Sequence, residues 1–247
     1  MSPLDLTILT AGLLVAGFAK GAAAMGLPLI ATPILAGVFG PRLAVVIVTV
    51  PIFAANTILI LQDWKRLQTL RHLGVLVLLG IAGTAVGSQL LAQLDQRTFT
   101  LLITAMVAVF LLRGDRLLGD DPTVGRGRVI GPFIALAGGL LQGTTSIASP
   151  LVGSYFHALR LPPRDFVLSL AVLFEFNAMT QVISYGAAGL YTPQALAYGI
   201  AGLVPALVGL AFGIALRGRL DPRRFRQGIV VLIVVSVVNL LRTTFFP

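Results

Sequence analysis

At 247 residues, with 57% hydrophobic and 11% charged residues and a mean hydropathy of +0.96, the chain is no soluble globular domain, which would carry about a quarter charged residues. The lack of cysteine excludes disulfides, thiol nucleophiles and thiolate metal sites. A net charge of +9 in a soluble protein would suggest nucleic acid. Here the basic residues stand in short loops beside apolar runs, where orientation in a membrane accounts for them, and no nucleic-acid partner is expected.

Apolar runs of roughly 20 residues, the length that crosses a bilayer as a helix, recur from end to end. The start, Met1-Ser-Pro-Leu-Asp5, lacks the positive region of a signal peptide, so the first apolar segment is expected to be retained. A segment broken by Gly and Pro covers 4–39, and spans follow at 42–62, 72–93 and 97–113. The polar stretch Arg113 to Arg128 is too short to fold alone. A second broken segment covers 129–159, and spans follow at 164–188, 194–217 and 225–243. The fold class is all-α, a polytopic membrane protein. Its organisation is a first transmembrane repeat at 1–113, a cytoplasmic linker at 114–128 and a second repeat at 129–247.

The repeat rests on matched breaks. Gly17-Phe-Ala-Lys-Gly21 followed by Pro28 returns 122 residues later as Gly139-Leu-Leu-Gln-Gly143 followed by Pro150. The same offset carries Pro41-Arg42 onto Pro163-Arg164. Leu94-Asp95-Gln96-Arg97-Thr98-Phe99 resembles Leu220-Asp221-Pro222-Arg223-Arg224-Phe225 at an offset of 126. Such paired breaks in the two halves of a membrane protein point to a transport site.

Charge decides the topology. If each broken segment crosses once, the basic residues divide eight against nine. If each is a re-entrant hairpin, they divide 14 against three, with Lys20 left at a hairpin tip. The positive-inside rule selects the hairpins. Helices over 129–142 and 150–159 would reach only about 21 and 15 Å at 1.5 Å per residue, short of a core of about 30 Å. A hairpin plus three spans crosses an odd number of times, so the halves would be inverted repeats with both termini outside. The hairpin tips would meet near the midplane.

The tips are the candidate site. Irregular backbone survives at membrane depth only where protein or a water-filled cavity satisfies it. Pro28 and Pro150 suit the first position of a returning helix, and Ser149 is placed to cap one. Exposed amides and the helix dipole favour anions there. Gln142, Thr144, Thr145, Ser146 and Ser149 can donate hydrogen bonds, and Gly21, Gly26 and Gly143 let backbone approach a ligand. Lys20 supplies a positive charge, and Met25 lies within the first break. Small and hydroxyl residues also serve close helix packing, which stays open for each of them. Pro51 and Pro205 are expected to kink their spans.

Glu175 is the one acidic residue placed inside a span. Pairing with Lys20, carrying a coupled proton and lining the substrate path are three open roles. Asn177 lies two residues on, and Asn56 holds nearly the equivalent position in the first half. His72 and His157 stand near span ends, and no metal site or cofactor is expected.

These paired Gly-rich breaks before Pro, followed by apolar runs and Pro-Pro-Arg-Asp-Phe-Val-Leu-Ser-Leu at 162–170, resemble the sulfite exporter TauE/SafE family over nearly the whole chain. The resemblance implies a permease for small sulfur-containing or organic anions such as sulfite, sulfonates or sulfoacetate. The chain departs from the family pattern at Gly21-Ala-Ala-Ala-Met-Gly26 and Gly143-Thr-Thr-Ser-Ile-Ala-Ser149, which changes the shape and polarity of the site. The reading is a secondary transporter of a small anion in the cell membrane, working by alternating access, with protons as a candidate coupling ion. No P-loop for ATP is present. A passive channel is the alternative, and a membrane enzyme or assembly subunit a more distant one. The oligomeric state is not encoded in any motif.

Overall fold

The computed structural model describes residues 3–113 and 124–245, and the linker expected at 114–128 lies mostly outside them. Among the described residues the regular structure is helical throughout. The order is α1 Pro3–Ala23, α2 Leu27–Phe39, α3 Pro41–Gln62, a 3₁₀ segment Trp64–Leu73, α4 Gly74–Gln93 and α5 Gln96–Arg113. Then come α6 Val124–Thr145, α7 Ser149–Ala158, α8 Pro163–Ala187, α9 Pro193–Leu216 and α10 Pro222–Phe245. Proline opens α2, α3, α7, α8 and α9 in the first turn, where its missing N–H costs nothing. Among the described residues six helices are long and apolar enough to cross a membrane: α1, α3, α4, α8, α9 and the part of α10 from Gln227. The apolar part of α5, Gln96–Leu112, is shorter. Leu78, Phe133, Val204, Phe212 and Val235 are exposed, giving the bundle the apolar outer face that lipid requires.

Both broken segments fold back on themselves. A Cβ at Gly12 of α1 would lie 3.1 Å from Ile34 of α2, and one at Gly26 would lie 3.8 Å from Ala19. In the second half Gly138 faces Val152 and Gly131 faces Tyr155. In each case the residue numbers in contact fall along one arm as they rise along the other, the register of an antiparallel hairpin. The break itself repeats: Ala24 has φ +66° and Ser146 has φ +60°, at positions 122 apart. Both are non-glycine residues in the left-handed region, which L residues rarely enter.

One length expectation fails. α6 starts at Val124 and not near residue 129, and its 22 residues reach about 33 Å. The glycines and arginines at 125–128 do not stop a helix, and Pro132 is carried inside it. Each hairpin therefore has a long leading arm and a short return arm. The return arms, 13 residues in α2 and 10 in α7, reach only about 20 and 15 Å.

The Gly17–Gly21 and Gly139–Gly143 pairs are not the breaks. They lie inside α1 and α6, where they bring backbones together. A Cβ at Gly17 would stand 2.0 Å from the carbonyl oxygen of Ala206, and one at Gly21 2.2 Å from that of Leu210, both in α9. From the other side Gly209 and Gly213 meet Leu14 O and Phe18 O at 2.0 and 2.2 Å. The second half does the same with α6 and α4: Gly139 meets Gly80 O, Gly143 meets Thr84 O, Gly83 meets Leu136 O and Gly87 meets Leu140 O, all at 2.1–2.2 Å. Small residues at i and i+4 permit this approach, the strongest packing available where lipid removes the hydrophobic drive. The pairing exchanges elements between halves, since α1 of the first packs on α9 of the second and α6 on α4. Asp95 and Asp221, the other repeated pair, cap α5 and α10. Asp95 accepts from Thr98 Oγ1 and the amides of Thr98 and Arg97, bonds that hold its carboxyl below the usual range. Asp221 accepts from the amide of Arg224.

Candidate substrate site

The two breaks meet. Met25 of the first reaches Gly153 of α7, with its Cε 3.0 Å from the Cβ position there. Beside them is a small cavity of about 10 Å³, room for about one water. Lys20, Met25, Gly26 and Pro28 line it from the first hairpin, and Gln142 and Ser149 from the second. Ile52 of α3 and Phe174 of α8 close it. Lys20 with Gln142, and Ile52 with Phe174, are pairs at the repeat offset of 122. The cavity thus sits where equivalent positions of the two halves converge.

Lys20 is 2% exposed, and its Nζ stands 5.9 Å from the centre of the Phe174 ring, a cation–π distance. Glu175 and Arg217 are near enough to act on its charge. No carboxylate among the described residues lies within ion-pair distance of it. Ser149 is 3% exposed and its hydroxyl has no protein partner. Its expected capping role is corrected. α7 begins at Ser149 itself, Ala148 is the cap residue, and Pro150 takes the second helical position. Leu27 likewise precedes Pro28 in α2. Neither α2 nor α7 has a side-chain cap. Pro28 and Pro150 carry no N–H and Leu151 N bonds Ala148 O at 3.1 Å, so the first-turn amides left over are those of Leu27 and Leu29 in α2 and of Ser149 in α7.

The other tip residues are placed differently. Thr144 Oγ1 bonds the carbonyls of Leu140 and Gly87, at 2.7 and 3.2 Å. Thr145 Oγ1 donates to Leu141 O and accepts from the Ile147 amide. Ser146 Oγ accepts from Gln181 Nε2 at 3.0 Å. Gly21 and Gly143 face α9 and α4, as described above. Asn56 and Asn177 are fully buried with no partner for either side-chain amide atom. They lie outside the cavity lining, and Asn177 Oδ1 packs over Gly80. Glu175 is half-buried, also outside the lining; its Oε1 accepts from Thr57 Oγ1 at 2.6 Å and its Oε2 has no partner.

Sequence reasoning passed over three residues that hold the tips. Gln181 donates to Gln142 O at 2.8 Å and accepts from Gln142 Nε2 at 3.1 Å. Tyr185 OH donates to Gly143 O at 2.6 Å. Arg217 donates to Gly21 O. A signal existed: Asn177, Gln181 and Tyr185 form a polar stripe at i+4 spacing, and Arg217 continues the Gly209–Gly213 series. Among the described residues no group of three or more His, Asp or Glu is placed to hold a metal.

The sequence model of the family described as Sulfite exporter TauE/SafE matches residues 8–240. The chain belongs to that family. Its members are membrane transporters, and the helical bundle here is a multi-pass membrane protein. No curated protein and no solved structure matches the chain. Within the TauE/SafE family the site is therefore read from its own side chains.

Proposed function

We propose that this TauE/SafE protein is a secondary carrier of a small anion, with a sulfur oxyanion or organosulfonate as its substrate class. The observation that carries the reading is the cavity between the tips. It combines a buried lysine, an unpartnered buried hydroxyl and two uncapped helix starts from the two halves. A buried Lys20 without an ion-paired carboxylate is costly in a membrane, and an arriving anion relieves that cost. Ser149 and the amides of α2 and α7 supply donors for oxyanion atoms.

The closed cavity accepts about one water. A sulfite-sized anion enters only when the tips separate, which is the motion alternating access requires. The reading takes 1–113 and 129–247 as inverted repeats, with the cationic loops and the linker in the cytoplasm and both termini outside. Antiparallel hairpins and the exchanged pairing of α1 with α9 and α6 with α4 support it. Glu175, with one free carboxylate oxygen close to Lys20, is the candidate proton carrier. The buried amides of Asn56 and Asn177 are groups that a moving substrate can satisfy.

The test is thermal stabilisation of the detergent-purified protein by sulfite, thiosulfate, methanesulfonate, sulfoacetate and carboxylates. A ligand bound by the folded state alone raises the melting temperature. Stabilisation of wild type by a sulfur oxyanion, absent in Lys20→Ala, is expected. Preference for carboxylates would remove the sulfur class, and no response to any anion would remove the carrier reading of the site. Flux that stays linear with concentration would favour a channel.

A further inference from the structure

Each hairpin presents an unfavourable helix end at the cavity beside the favourable one. α1 and α6 arrive with their C-termini, where carbonyls without intrahelical partners place partial negative charge. An anion site has to cancel that charge. The chain does so at equivalent carbonyls, Gly21 and Gly143, which are 122 apart, but by different chemistry. Gly143 O accepts from the hydroxyl of buried Tyr185 at 2.6 Å, a neutral donor. Gly21 O accepts two bonds from the guanidinium of Arg217, from Nε at 2.9 Å and Nη2 at 2.7 Å.

Arg217 arrives there by helix periodicity. Gly209, Gly213 and Arg217 follow at i+4 along one face of α9, and the two glycines lie against the backbone of α1. The next position on that face reaches the end of α1. In α4, which pairs with α6 through Gly83 and Gly87, the equivalent position is Leu91, fully buried and uncharged. The two caps thus differ by one full charge, placed beside the residue that follows Lys20.

We propose that Arg217 is a positioning and selectivity residue. It fixes the α1 end that carries Lys20 and adds a second positive charge to the site, so that the carrier prefers dianions over monoanions. The inference rests on the anion-carrier reading. Arg217 is part-buried, and at a separation on the order of 10 Å and an effective dielectric near 20 its charge is worth roughly fifteenfold in affinity per unit of ligand charge, which solvent screening reduces to about five- to tenfold.

The test compares sulfate with methanesulfonate, tetrahedral ions of similar head that differ by one charge, binding to purified wild type, Arg217→Gln and Arg217→Lys. Arg217→Gln is expected to lower the ratio of sulfate to methanesulfonate affinity about five- to tenfold, and Arg217→Lys to keep most of it. Equal losses for both ions in Arg217→Gln would make the cap purely structural and overturn the proposal. So would Arg217→Lys losing the ratio as fully as Arg217→Gln, since charge would then not be the cause. Wild type that binds methanesulfonate but not sulfate would overturn it as well. Wild type that binds neither ion would overturn this inference, and the anion-carrier reading falls with it only where sulfite, thiosulfate, sulfoacetate and carboxylates fail to bind as well.

Discussion

Replacing Gly17 by alanine tests the helix pairing on which the site depends. The added Cβ would stand 2.0 Å from the carbonyl oxygen of Ala206, where ordinary contact begins at 3.4 Å. The obstacle is backbone, so no side chain can rotate away, and α1 must move from α9 by about 1.4 Å. Overpacking of this kind costs about 1–3 kcal/mol, and the looser fit of the two backbones adds to that penalty. The same displacement carries Lys20, less than one turn further along α1, away from the cavity. Gly186→Ala is the control, because its Cβ would meet nothing within 4 Å and its backbone is helical. Alanine there is neutral or stabilising by a few tenths of a kcal/mol to about 1 kcal/mol. Thermal unfolding of the detergent-purified variants reads both. Gly17→Ala melting with wild type, or Gly186→Ala falling as far as Gly17→Ala, would refute the packing argument.

Ser149→Ala should weaken anion binding about ten- to hundredfold, the loss of one hydrogen bond to a charged group. Because the hydroxyl has no protein partner, the melting temperature of the unliganded protein should hold, and unchanged affinity would take Ser149 out of the site. Glu175→Gln keeps an oxygen for Thr57 Oγ1 but cannot carry a proton. Substrate binding should persist while uptake driven by a pH gradient in proteoliposomes disappears, and full proton-driven flux would assign coupling elsewhere. Tyr185→Phe leaves Gly143 O without its donor, a buried unsatisfied carbonyl costing about 1–3 kcal/mol. Its melting temperature should drop with the sulfate-to-methanesulfonate ratio intact, and an altered ratio would show that the neutral cap also tunes charge preference.

Composition and period alone determined that this is an all-helical membrane protein, because a bilayer demands long apolar runs and the sequence has little else. The breaks ahead of Pro28 and Pro150 and the caps at Asp95 and Asp221 were legible too, since both depend on local backbone. Lys20, Gln142 and Ser149 were legible as cavity residues because polar groups beside a break at membrane depth need a purpose. The tertiary structure alone decided which glycines break a helix and which join two. Gly17-Phe-Ala-Lys-Gly21 reads the same either way, and only the presence of α9 against its face makes it a packing surface. It also decided which hydroxyls are free. Thr144, Thr145 and Ser146 look like ligand donors in sequence but find carbonyls and Gln181 in space, while Ser149 finds no partner. Arg217, 196 residues from Gly21, reaches it through a helix pairing that no local pattern specifies, because hydrogen-bond partners across a bundle depend on how helices stack.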